Sequence, residues 1–155
     1  MLRQSVVSLL ALVSLTTAAD LPTKKFLNMA AVKTMVSAAE AEAQKRNAQV
    51  AICIVDDGAN ILFLERADGA GLNALAMAQK KARYAAIYRR ASAIAAEQLQ
   101  AGHLDQLMAP DGFPNKGGLP LLVDGQTIGG VGVSGAKSDA DELIAQAAVD
   151  GLLKK

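Results

Sequence analysis

Hydrophobic and small residues in the first third of the chain recur at alternating spacings of three and four, the pattern of an amphipathic helix. The pattern begins near Lys24 and ends at about Asn47. We therefore predict a helix over residues 24–47 with an alanine-rich buried face. The repeating positions are Met29, Val32, Val36, Ala39 and Ala43.

The pattern then changes to the two-residue alternation that is typical of strands. Residues 49–56 and 61–65 alternate in this way around a turn rich in Asp, Gly and Asn, which predicts a β-hairpin. A second hairpin is predicted where Asp124-Gly125 separates residues 119–123 from 127–133. Asp-Gly is favoured there because both central residues of the tightest hairpin turn need positive φ.

Helical spacing returns twice in the rest of the chain. It predicts a long helix over residues 73–90, followed by a short one that Ser92 caps and that ends at Gly102. Ser138 and Asp141 form an S-x-x-D capping pattern before a last helix that nearly reaches the end of the chain.

The predicted order is helix, hairpin, helices, hairpin, helix. Strands joined as hairpins form an antiparallel sheet, so we predict an α/β fold of the α+β type with helices covering the sheet. Residues 102–118 lose all periodicity and accumulate Pro and Gly, which predicts a long loop of the kind that often carries function.

The start of the chain has the composition of a secretory signal peptide. Arg3 precedes an apolar run over residues 6–15, and small residues follow up to Ala19. A run of about ten apolar residues is too short to cross a bilayer, which takes roughly 20. We predict a signal peptide over residues 1–19, a single mature domain over 20–155, and a periplasmic or secreted location.

Charge and cysteine content exclude several classes of protein. Lys and Arg number 16 against 15 Asp and Glu, so no net field favours nucleic acid or an anionic membrane surface as a partner. Cys53 is the only cysteine, which excludes an internal disulfide and a Cys-rich zinc site.

Residues 130–135 match the G-x-G-x-x-G pattern of dinucleotide-binding loops. Only 20 residues follow Gly135, too few for the strand and ribose-binding acid that such a site needs. We interpret these glycines as positions where a strand is approached closely by another backbone.

His103 is the only histidine, so a zinc site held by several His is excluded. A single histidine either is a solvated side chain or ligates haem iron, where proximal histidine is common. Further axial candidates, each of which also suits core packing, are Cys53, Met77, Met108, Tyr84 and Tyr88.

The segment from Gly69 to Ala96 contains no acidic residue but five cationic ones. It is either a receptor for carboxylates or a solvated helix face whose counter-charges lie elsewhere in the fold. Lys81, with Arg66 just before the segment, is the favoured cation for an anionic ligand. The five are Lys80, Lys81, Arg83, Arg89 and Arg90.

Five short motifs occur in order along the chain from the first hairpin to the last helix. The motifs are Val55-Asp56-Asp57-Gly58, Arg66-Ala67-Asp68-Gly69-Ala70, Ala78-x-x-Lys81-Ala82-x-x-Ala85, Gly117-Gly118-Leu119-Pro120, and Gly132-Val133-Ser134-Gly135 with Asp141. Together they resemble the GlcG/HbpS family of haem-binding, haem-degrading-type proteins, and the resemblance spans essentially all of the predicted mature chain.

The resemblance implies a profilin-like three-layer sandwich, self-association into homo-oligomers, and haem as the ligand. With haem as the ligand, the single histidine, His103, is the candidate iron ligand, and the cations Arg66 and Lys81 are expected to face the haem propionates. The expected function is sequestration or slow degradation of haem outside the cytoplasm, and no catalytic residue is assigned.

Two other hypotheses stay open from the sequence. One is an enzyme or accessory protein for a small organic acid of the glycolate type, with Arg66 and Lys81 binding its carboxylate. The other is a non-catalytic interaction module built on its oligomer interface.

Overall fold

Helices and strands alternate in the predicted order along residues 19–153, the part of the chain that the computed structural model describes. The predicted signal peptide, apart from Ala19, lies outside the described residues. A 3-10 helix, Leu104–Leu107, interrupts the predicted long loop. The other elements are α1 Met29–Lys45, β1 Ala51–Asp56, β2 Ile61–Arg66, α2 Ala74–Tyr88, α3 Ser92–Gln100, β3 Gly118–Val123, β4 Gln126–Ser134 and α4 Ser138–Leu153.

The four strands form one antiparallel sheet in the order β2-β1-β4-β3. Helices α1 and α4 pack against each other and cover one face, while α2 covers the other. This arrangement confirms the predicted α+β class with a helix-covered antiparallel sheet. No helix within residues 19–153 is long and apolar enough to cross a bilayer.

Helix α1 starts later than predicted. It begins at Met29, because the Asn28 side chain accepts a hydrogen bond from the Ala31 N–H at 2.9 Å and caps the helix there. Leu27, just before the cap, is buried, and its side chain lies beside Gly129 of β4. Packing of this residue, together with the cap, replaces the extra helical turn that periodicity alone predicts.

Both predicted hairpins are present. Asp124 and Gly125 have φ values of 49° and 76°, as the two-residue turn between β3 and β4 requires. The turn between β1 and β2 is held by the Asp56 carboxylate, which accepts hydrogen bonds from the Gly58 and Asn60 N–H groups at 2.9 and 2.8 Å.

Ser92 begins α3 but does not cap it, contrary to the prediction. Its hydroxyl instead donates to the Asn115 carbonyl at 2.5 Å and accepts from the Gly118 N–H at 2.9 Å. The hydroxyl is thus used to hold the chain that enters β3. The far end of α3 stops where predicted, at Gly102, whose φ of 94° suits glycine.

The glycines of β4 let α2 approach the sheet very closely. A Cβ atom on Gly130 would lie 2.3 Å from the Ala82 carbonyl oxygen, and one on Gly132 would lie 2.1 Å from that of Ala78. The interpretation of these glycines as a close-approach surface is confirmed. Side chains on this face of the sheet are correspondingly small, because the helix leaves no room for larger ones.

Candidate functional site

Lys81 lies on the inner side of α2 and is only 1% exposed. Its Nζ donates to Asp141 Oδ2 at 2.9 Å and to the Val133 carbonyl at 2.7 Å. Burial lowers the pKa of Lys81 and raises that of Asp141, and the hydrogen bond between them opposes both shifts. The Lys81 ammonium is therefore occupied within the fold and is not presented to solvent.

The Asp141 carboxylate also accepts from the Ala136 N–H at 2.9 Å, just before α4. The neighbouring Glu142 accepts from the Gly117 N–H at 3.0 Å. These bonds, with the Lys81 pair, fasten the Gly117-Gly118 turn to the start of α4. The Lys, Gly-Gly and Asp motifs thus meet in one buried network that supports the fold.

Arg66 ends the edge strand β2 and is exposed. It contributes to a cleft of about 620 Å³ between the end of α1 and strands β1 and β2. The same cleft contains Glu40 and Glu65, and the pKa of Glu65 is raised by burial and by the Glu40 carboxylate. A carboxylate ligand would meet two acidic groups here as well as one guanidinium.

His103 is exposed and lies directly before the 3-10 helix. Three large apolar side chains of that segment are also exposed, namely Leu104 at 67%, Leu107 at 61% and Met108 at 83%. We call His103, Leu104, Leu107 and Met108 the His103 surface. An imidazole beside uncovered apolar side chains combines an iron ligand with a support for a flat apolar ring system.

A guanidinium is fixed next to this surface. Arg90 Nε donates to the Tyr84 hydroxyl at 2.8 Å, and Arg90 Nη2 donates to Gln106 Oε1, in the 3-10 helix, at 3.5 Å. The Arg90 guanidinium carbon lies 5.6 and 5.8 Å from the ring centres of Tyr84 and Tyr88. Cation–π and hydrogen-bond contacts therefore hold a positive charge at the edge of the His103 surface.

The three residues that the sequence analysis selected are not brought together. Arg66 belongs to one edge strand, β2, whereas His103 follows α3, which packs beside the opposite edge strand, β3. Lys81, on α2, is buried and paired with Asp141 of α4. Only His103 has a surrounding that suits a haem group.

The other axial candidates differ in access. Burial raises the pKa of the Cys53 thiol to about 12, so a thiolate ligand is disfavoured. Tyr84 is buried, and Tyr88 donates its hydroxyl to the Pro110 carbonyl at 3.1 Å. Met108 is exposed within the His103 surface. Residues 19–153 contain no cluster of three or more His, Cys, Asp or Glu that would hold a metal ion.

Sequence reasoning missed the His103 surface because residues 104–108 lie in a segment without periodicity. The sequence signal for this surface is its composition, because three large apolar residues follow a histidine within a Pro- and Gly-rich loop. It also missed the partner of Lys81, which is 60 residues away in the chain.

These features define a small α+β domain with an antiparallel sheet between two helical layers and an exposed histidine surface. Residues 27–150 match the family model described as haem degrading protein HbpS-like. The chain therefore belongs to the HbpS-like family, as its resemblance to GlcG/HbpS proteins predicts.

Individual relatives agree with this assignment. The chain is 39% identical to Protein GlcG of Escherichia coli strain K12 over 112 residues, which cover 72% of this chain and 84% of the relative. The crystal structure of Klebsiella pneumoniae protein ORFY is similar with a TM-score of 0.82 and 27% identity, covering 90% of this chain and 99% of that one. The crystal structure of a PduOC:heme complex is similar with a TM-score of 0.76 and 28% identity, covering 82% and 95%.

Proposed function

We propose that the processed protein is an exported haem-binding protein that holds haem on the His103 surface. The observation that carries the proposal is the exposed imidazole of His103 beside the uncovered side chains of Leu104, Leu107 and Met108. The haem complex of the similar PduOC structure and the description of the family support haem as the ligand.

The residues present fit the chemistry of haem. A neutral imidazole nitrogen is a common ligand of haem iron. The two leucines and Met108 offer apolar contact to a porphyrin face, and burial of apolar area against them stabilises the complex by roughly 25 cal/mol per Å². The Arg90 guanidinium supplies a positive partner for a propionate, because arginine binds carboxylates with paired hydrogen bonds.

Bound haem would supply an iron centre capable of one-electron and oxygen chemistry. The chain's own contribution is to bind and orient the group, with His103 at the iron and Arg90 at the rim. The three apolar side chains beside His103 offer contact area for a ring system, so binding is the function that these residues support best.

The hypothesis of a small organic acid as ligand relies on Arg66 and Lys81. Lys81 is engaged by Asp141, and Arg66 shares its cleft with Glu40 and Glu65. A small carboxylate would therefore face one cation and two acids, a weaker receptor than the sequence suggests.

We further propose that the chain is exported after cleavage near Ala19 and assembles into homo-oligomers, as the sequence analysis predicts. Exposed apolar side chains outside the His103 surface, such as Phe26 and Met29, are available for contacts between subunits. Intact-mass analysis of the exported protein tests the cleavage: a mature chain beginning between Ala18 and Asp20 supports it, and retention of Met1 overturns it.

The test of haem binding is an optical titration of the protein comprising residues 20–155 with ferric haem. We expect a saturable Soret change that reaches about one haem per chain. A double variant in which Leu104 and Leu107 are both replaced by Ser should bind haem more weakly, because it lacks their apolar contact. Leu72→Ser is the matched control, since Leu72 is exposed elsewhere and should leave binding unchanged.

Four outcomes are informative. A saturable Soret change without decay under reductant and oxygen supports storage, whereas its decay supports degradation. Stabilisation by glycolate-type acids, with no saturable Soret change, overturns the proposal and favours the small-acid hypothesis. A lack of response to either ligand leaves the interaction module as the leading hypothesis.

A further inference from the structure

We propose that Gln98 positions the imidazole of His103 for iron by accepting a hydrogen bond from its second ring nitrogen. This inference rests on the proposed function, since it concerns the residue that we place at the haem iron. Gln98 would act through His103 and is therefore a positioning residue.

The backbone brings the two residues together at the end of α3. The Gly102 N–H donates to the Leu99 carbonyl and the His103 N–H donates to the Gln98 carbonyl, both at 3.0 Å. With Gly102 at a φ of 94°, these two bonds form a Schellman motif. Gln98 and His103 occupy the C3 and C″ positions of the motif, whose side chains lie close enough for the hydrophobic contact that frequently forms there.

The Gln98 side chain has an unused acceptor. Its Oε1 is the one buried side-chain oxygen or nitrogen without a hydrogen-bond partner in the described part of the chain. A buried polar atom without a partner is costly, and such atoms in folded proteins call for an explanation. A donor that reaches Gln98 Oε1 only in another side-chain conformation would explain why this oxygen has no partner here.

The His103 imidazole is a suitable donor. It is exposed, and exposed side chains change rotamer within picoseconds to nanoseconds. Histidines that ligate metals almost always donate their other ring N–H to an oxygen acceptor, which fixes the tautomer and the ring orientation. If Nδ1–H donates to Gln98 Oε1, then Nε2 is left unprotonated and free to bind iron.

One test reads the imidazole without haem. Because His103 is the only histidine, labelling with ¹⁵N-histidine marks this residue alone. NMR distinguishes the two tautomers of the neutral ring by the chemical shifts of its two labelled nitrogens. We expect the Nδ1–H form to be enriched in the unmodified protein and in Gln98→Glu, which keeps an acceptor, and to fall in Gln98→Leu.

A second test reads the haem complex. Resonance Raman spectra of the ferrous complex report the iron–histidine stretch. Its frequency rises when the ring nitrogen that does not bind iron donates a stronger hydrogen bond. We expect the frequency to fall in Gln98→Leu and to rise in Gln98→Glu. Haem affinity should fall by about 10- to 100-fold in Gln98→Leu, the usual effect of removing such an outer partner.

Thermal unfolding of the haem-free protein separates this role from a purely structural one. Gln98→Leu removes one hydrogen bond to an exposed imidazole but also removes the cost of burying a polar oxygen, so the melting temperature should change little. Gln100→Leu, on the exposed side of the same helix, is the control and should change neither the tautomer nor the stretch.

Identical tautomer populations in the unmodified protein and Gln98→Leu, together with an unchanged stretch, would overturn the inference while leaving haem binding intact. If haem does not bind at all, the proposed function fails, and the NMR measurement still decides whether Gln98 and His103 interact.

Discussion

Lys81 and Asp141 form an ion pair that joins the helical layers on the two sides of the sheet, with 2.9 Å between Lys81 Nζ and Asp141 Oδ2 and almost no exposure of either side chain. Lys81 belongs to α2 and Asp141 to the first turn of α4. Lys81 Nζ also donates a hydrogen bond to the Val133 carbonyl near the end of β4. The ion pair therefore links the two helical layers near the point where β4 ends and α4 begins.

Removing one member of this pair should be strongly destabilising. Lys81→Met leaves the Asp141 carboxylate buried without its cation, and breaking a buried pair in this way typically costs about 3–5 kcal/mol in the free energy of unfolding. Urea denaturation of Lys81→Met, Asp141→Leu and the double variant measures the effect. The double variant should be more stable than Lys81→Met alone. If its loss in the free energy of unfolding equals the sum of the two single losses, direct pairing is contradicted.

Ala82→Leu should destabilise the protein because α2 has no space for a larger side chain above β4. The Ala82 carbonyl oxygen would lie 2.3 Å from a Cβ on Gly130, and Ala82 itself is fully buried. Overpacking of this kind costs roughly 1–3 kcal/mol. Ala76→Leu, on the exposed side of the same helix, is the matched control. Equal melting temperatures for the two variants would argue against the close approach.

Glu65→Gln should stabilise the protein at neutral pH. Burial and the Glu40 carboxylate raise the pKa of Glu65 above its ordinary value of 4.5. The ionised form is thus disfavoured in the folded state, and stability is lost as the pH rises from 4.5 through the folded pKa. The variant's advantage in thermal unfolding should vanish at acidic pH, below 4.5, where Glu65 is protonated in both states. An advantage independent of pH would contradict this cause.

Much of the fold could be predicted because its signals are local. The Asp124-Gly125 turn and the stop of α3 at Gly102 each depend on a backbone conformation that few residue types adopt. The start of α1 could not be placed from periodicity, because the Asn28 cap and the packing of Leu27 on β4 decide it.

The candidate site was harder to predict, since it depends on contacts between distant parts of the chain. Lys81 has the charge that an anion receptor needs, but its partner Asp141 becomes visible only in the folded chain. Conversely, Arg90 gains its place beside the His103 surface through Tyr84 and Gln106, which no spacing rule connects. The sequence pattern thus selects cationic residues as candidates but does not show what surrounds each of them in the fold.

Arg90→Gln should weaken haem binding, whereas Arg66→Gln should not. Arg90 is fixed beside the His103 surface, and a charge-assisted hydrogen bond contributes about 1.5–3 kcal/mol, roughly a 10- to 100-fold change in affinity. Arg66 is exposed at the opposite edge of the sheet. Soret titrations of both variants, with thermal unfolding to verify folding, measure the difference. A larger loss of haem affinity in Arg66→Gln than in Arg90→Gln would contradict this and indicate that haem binds in the Arg66 cleft.

Electron–nuclear double resonance of the ferric haem complex tests the central proposal most directly. The chain contains a single histidine, so ¹⁵N-histidine labelling marks His103 and no other residue. If His103 binds the iron, the labelled complex shows a strong ¹⁵N coupling beside the porphyrin ¹⁴N couplings. A saturated haem complex that shows only the porphyrin couplings would contradict ligation by His103.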